Sequence, residues 1–186
     1  YFSGILLLNN NQYNESFKYL KKLNGLENSH INFSIKYLYS LVNSGNLNEA
    51  FNFSRKLEKQ KQDSFESNII IGVFYLKNSN LELANKYFLK AKNKNSKFLL
   101  NNYVSSSLYN WSSFKDSDIN SATLELNKTD KRFENLKKIQ NVFLNCYYDQ
   151  LNTNKLFIEL NSDKKTDFSR YNYFHASYLV SSGKID

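Results

Sequence analysis

Residues Phe65 to Phe98 read FESNIIIGVFYLKNSNLELANKYFLKAKNKNSKF, and the order of small and large side chains in this stretch decides the fold. Gly72, Tyr75, Leu81, Ala84, Phe88 and Ala91 fall at helical spacing on either side of a polar break, which predicts two helices joined by a short turn. Two such helices approach closely only where side chains are small, so Gly72 and Ala84 are expected to face each other at the crossing. Tyr75, Leu81 and Phe88 would then cover the seam and reach an adjacent hairpin.

Working outward, a shift of 34 residues lays this stretch on the two before it without an insertion. Gly4, Leu38 and Gly72 correspond, then Leu7, Leu41 and Tyr75, then a turn position holding Asn11, Gly45 and Ser79. Ser16, Ala50 and Ala84 follow, then Tyr19, Phe53 and Tyr87. In the middle copy Gly45 suits the left-handed conformation that ends a helix, and Asn46 with Glu49 resembles a capping box. Leu38 stands where the other copies have glycine, and Ser54 stands where a large residue is expected.

The second half carries the pattern less regularly. Ile119, Ala122 and Leu126 read as the second helix of a fourth copy, displaced by about four residues, so a longer connection is expected around Trp111 to Asp118. Phe133, Leu136, Ile139, Val142 and Phe143, then Leu151, Phe157 and Ile158, carry a fifth, with Thr129 or Asp130 as caps. Ala176, Leu179, Gly183 and Ile185 return to the register of the third copy. The expected division is 1–30, 31–64, 65–98, 99–134, 135–168 and a partial 169–186, within one all-α domain. Methionine is absent, position 1 included, Tyr1 falls inside a first helix and Ile185 opens a second one; a segment of a longer stack is the expectation.

Composition narrows the function classes. The net charge is +8, but 22 of the 25 cations are lysine and asparagine occurs 29 times, a bias that AT-rich codons produce, so the basicity is a weak pointer to nucleic acid. The absence of proline and of any apolar run near eighteen residues argues against collagen-like and membrane-spanning chains. One cysteine, Cys146, and two histidines, His30 and His175, cannot supply a disulfide framework or a zinc cluster. With no carboxylate pair or glycine-rich phosphate loop, neither catalysis nor a cofactor is expected. His175 reads as a packed, hydrogen-bonded imidazole and Cys146 as an inert buried thiol.

The period and the small and large positions resemble tetratricopeptide repeats, most clearly in Gly72, Tyr75, Leu81, Ala84, Phe88 and Ala91. The customary closing proline is missing throughout. The resemblance implies a right-handed superhelix of antiparallel hairpins, a non-catalytic scaffold that holds a protein or peptide partner on the wall lined by each first helix. On that wall it nominates Lys36, Tyr39 and Asn43 in the second copy and Ile69, Val73 and Lys77 in the third, a groove for an extended or helical peptide of some acidic character. Ile35, Tyr39 and Ile70 replace the residues with which one subclass grips chaperone carboxyl termini, so that ligand is not expected. Lys22, Lys56, Lys90 and, after the shift, Lys128 form a basic row on the second helices, read either as a solvated face or as a contact for an anionic partner. The alternatives are a pentatricopeptide-like RNA binder, whose period is one residue longer, and the docking arm of a larger enzyme.

Overall fold

The computed structural model describes residues 1–186 except Asn24, 95–97, 115–117, Lys164 and 184–186, and describes Ile31 through its backbone alone. Ile185 therefore lies outside the described residues. Eleven α-helices and no strand are found among the described residues, and no helix there is long and apolar enough to cross a membrane. The chain divides into two compact units, Tyr1–Ser112 and Ser113–Asp186.

The first unit holds α1 (Phe2–Asn9), α2 (Tyr13–Lys21), α3 (Ile31–Asn43), α4 (Leu47–Lys59), α5 (Phe65–Lys77), α6 (Leu81–Lys94) and α7 (Leu99–Ser112). Each helix packs on its sequence neighbour, and α5 also touches α3 and α7. The turns after α1, α3 and α5 are built alike. Asn11, Gly45 and Ser79 all take left-handed backbone, at φ of 58°, 77° and 58°. The next N–H in each, from Gln12, Asn46 and Asn80, closes on the carbonyl five residues back, Leu7, Leu41 and Tyr75, at 2.9 Å. This satisfies helix-end carbonyls that would otherwise be orphaned.

Capping follows the turns only in part. Asn80 Oδ1 accepts from the Leu83 N–H at 3.1 Å and starts α6. Asn46 does not form the expected box with Glu49: its amide donates to Ser44 Oγ, while Glu49 accepts from the Tyr37 hydroxyl and from Lys21. The reciprocal box is found at α5 instead, where Ser64 Oγ accepts from the Ser67 N–H and Ser67 Oγ from the Ser64 N–H.

Close approach between helices is set by size complementarity. A Cβ on Gly72 would overlap the Phe88 ring, with Cδ1 at 2.6 Å, and one on Gly4 would meet Leu20 Cδ2 at 2.7 Å. The side chain that Gly72 admits is thus Phe88, one helical turn beyond the Ala84 expected there. Leu20 and Phe88 are equivalent positions, and in the middle hairpin the same two places hold Leu38 and Ser54, both buried. The large residue has changed helix. Leu20, Phe33, Tyr37, Leu38, Leu41 and Phe53 form the core around this middle hairpin.

The second unit holds α8 (Ile119–Asn127), α9 (Glu134–Tyr147), α10 (Thr153–Asn161) and α11 (Asn172–Ser181), each packed on the next. The two helices of the expected fourth copy, α7 and α8, fall in different units. Asp118 caps α8 through the Ser121 N–H at 2.7 Å. Of the two candidate caps ahead of α9, Asp130 acts, on a 3-10 turn at Lys131–Phe133. Val142, Phe157, Leu160, Phe168 and Tyr178 make the core of this unit. Leu151, expected inside, is 97% exposed because it lies in the turn before α10, and Ile158 is on the outer side of that helix.

Candidate functional site

Helices α3 and α5, both 13 residues long, lie side by side and leave an apolar trough between them. One stretch of it, about 220 Å³, is walled by Ile35, Tyr39 and Val42 on α3 and by Phe65, Ile69 and Ile70 on α5. A second, about 250 Å³, continues through the shared Val42, Ile69 and Ile70 to Leu47, Val73 and Lys77. Spacings of three and four residues place Ile35, Tyr39 and Val42 on one face of α3, and Ile69, Val73 and Lys77 on one face of α5. Tyr39 keeps 50% of its surface in solvent, and Val42 and Val73 keep 40% each, a large apolar exposure for neighbouring positions. Tyr39 is held edge-on against Tyr13, with ring centres 6.2 Å apart. Phe74, which also lines the second stretch, is stacked on the Phe51 ring of α4 with ring centres 3.8 Å apart.

Of the six residues nominated from the sequence, Tyr39, Ile69, Val73 and Lys77 line this trough. Lys36 and Asn43 do not. Lys36 is exposed one residue off the lining face, and Asn43 turns its amide back onto the Tyr39 carbonyl at 2.8 Å. Val42, Leu47 and Glu66 were not nominated; Val42 continues the spacing of Ile35 and Tyr39, and that periodicity was the available signal.

The lysine row is not a line of uncompensated cations. Lys56 is paired with Glu27, whose carboxylate is fully buried and also accepts from the Gly25 N–H at 2.7 Å. Lys90 reaches Glu58 at 2.6 Å, and the same carboxylate takes the Tyr87 hydroxyl at 3.0 Å and Arg55. Lys128 pairs with Glu125 one turn away, and Lys22 lies over the Tyr19 ring at 5.8 Å. Lys94, off the row, holds Asp63 at 3.2 Å. Burial alone would raise the carboxyls of Glu27, Glu58 and Asp63, but their hydrogen bonds and lysine partners hold all three below the ordinary range. Burial, and then Glu58, push the Tyr87 phenol up to about 12.

The histidines have structural partners. His30 Nδ1 accepts from the Phe33 N–H at 3.2 Å and caps α3. His175 stacks on Phe157 with ring centres 5.0 Å apart, bonds Asn154 Oδ1 at 2.8 Å, and has its pKa lowered by burial. Burial, and then Asp149, raise the Cys146 thiol away from the reactive thiolate form. Among the described residues no group of three or more His, Cys, Asp or Glu side chains is arranged to hold a metal. A cavity of about 470 Å³ opens between Glu27–His30 and Lys61–Ser64. No protein-family model matches the chain, and comparison with curated proteins and with solved structures returns no match.

Proposed function

We propose that this chain is a tetratricopeptide-like stack of helical hairpins, wound as a right-handed superhelix, and that it acts as a non-catalytic scaffold gripping a peptide or protein segment between α3 and α5. The observation that carries this reading is the trough itself: Tyr39, Val42 and Val73 stay open to water on adjoining first helices, with the exposed Leu47 beside them, while Phe33, Tyr37, Leu38, Leu41 and Phe53 of the same region pack inward. Covering such surface contributes about 25 cal/mol per Å², and the walls present helix faces with fixed spacing. The pairing of Lys56 and Lys90 to carboxylates weakens the RNA-binding alternative, since a phosphate backbone needs cations free to release its counterions.

The test is selection of random 16-residue peptides displayed on phage against the wild-type chain and against a Val42→Asp/Val73→Asp variant. Peptides enriched on the wild type and lost on the variant are expected. Absence of enrichment, or equal enrichment on both proteins, would overturn the reading.

A further inference from the structure

The trough also says what shape and charge its occupant has. Its walls are two helices whose backbone groups are bonded internally, so they offer no ladder of free N–H and C=O groups. Of the side-chain amides that line its far end, that of Asn78 is turned onto its own helix, Nδ2 donating to the Phe74 carbonyl at 2.7 Å, and Asn48 offers a single amide in place of a ladder. An extended peptide laid here would bury unsatisfied backbone groups against Val42, Ile69 and Val73, whereas a helix brings its own hydrogen bonds. Walls of 13 residues at 1.5 Å each give a trough about 20 Å long, matching a helix of about the same number of residues.

The two ends differ in charge. Glu66 lines the end near Phe65, and Lys77 lines the other. Neither has a charged partner among the described residues, whereas Glu27, Glu49 and Glu58 each hold a lysine and Lys56, Lys90 and Lys94 each hold a carboxylate. Opposite charges left unpaired at opposite ends of an apolar slot favour a complementary pair on the occupant.

We infer that the trough takes an amphipathic helix carrying a basic residue at the end that meets Glu66 and an acidic one at the end that meets Lys77. This rests on the peptide-binding reading above. Two further displayed libraries test it on the full chain. One fixes apolar residues at i, i+4, i+7 and i+11 among helix formers and randomises the two ends among Lys, Glu and Gln; the other is identical except for a central proline. On the wild type, members with Lys at one end and Glu at the other are expected to be enriched severalfold over members with like charges, and the proline library is expected to fail. Lys77→Glu should shift enrichment to peptides with Lys at both ends, and Glu66→Lys to peptides with Glu at both. Enrichment indifferent to end charge, or equal success of the proline library, overturns this inference while leaving peptide binding intact. Failure of both helical libraries where the fully random one succeeds has the same meaning, and failure of all three overturns peptide binding itself.

Discussion

At Gly72 the constraint is the Phe88 ring, which leaves no room for a Cβ without displacement. Gly72→Ala is therefore expected to destabilise the protein by about 1 to 3 kcal/mol through overpacking, even though alanine is the better helix former. The middle hairpin shows how the site can be relieved, because Leu38 and Ser54 occupy the places of Gly72 and Phe88 with the sizes exchanged. Phe88→Ala alone should cost about 3 to 5 kcal/mol by leaving a cavity. Gly72→Leu combined with Phe88→Ala should cost less than the sum of the single changes, with a coupling of about 1 kcal/mol or more. Urea midpoints of Gly72→Leu, Phe88→Ala and the double variant measure this; strict additivity would mean that the two positions do not share one space. Ser54 itself buries a hydroxyl without a hydrogen-bond partner, so Ser54→Ala is expected to be neutral or slightly stabilising.

At the scale of helices, the carboxylates of Glu27, Glu58 and Asp63 tie each second helix or its following connection to a lysine on a neighbouring second helix. Their pKa values lie below the unfolded ones, so the stability they contribute is complete above about pH 4.5 and is lost as pH falls through the folded values. His175 has the same slope in a higher window: its pKa is lowered by burial, so its contribution is present above about pH 6.5 and declines below that. Urea midpoints at pH 7 and pH 3.5 should fall apart less for Glu58→Gln than for the wild type; an unchanged difference would remove Glu58 from this role. These ties were illegible in the sequence, because Lys56 and Lys90 find partners 29 and 32 residues away on surfaces that only packing brings together. The turns were legible where left-handed backbone is held by the residues that favour it, Asn11 and Gly45 one period apart, and less so at Ser79, which takes the same conformation without that preference. Half-way between stand the trough residues. Their helical spacing could be read, but Asn43 was lost to its own helix, and the match of Gly72 to Phe88 in place of Ala84 depends on an axial offset that periodicity does not encode.

Within the whole chain, several long-reaching contacts join elements of the first unit. The ion pairs of Lys21, Lys56, Lys90 and Lys94, the Phe51–Phe74 stack and the core around Leu38 all lie inside residues 1–112. In the repeat stack proposed above, each hairpin leaves one face bare, and stability comes from the joints between neighbours more than from any hairpin alone. A fragment of residues 1–112 contains three such hairpins and the joints between them, so it should unfold in urea with a single cooperative transition. A fragment of residues 65–94 keeps Gly72 against Phe88 but loses Glu58, Asp63 and Phe51, the partners of Lys90, Lys94 and Phe74. Two helices of this length are marginal in water, and the shorter fragment should show weak, non-cooperative helicity by circular dichroism. A stable isolated hairpin would place the stabilising free energy inside the repeat, and the trough walls would then be rigid without their neighbours. A gradual transition in the longer fragment would instead mean that the joints are too weak to hold α3 and α5 at a fixed spacing, which a slot for one helix requires.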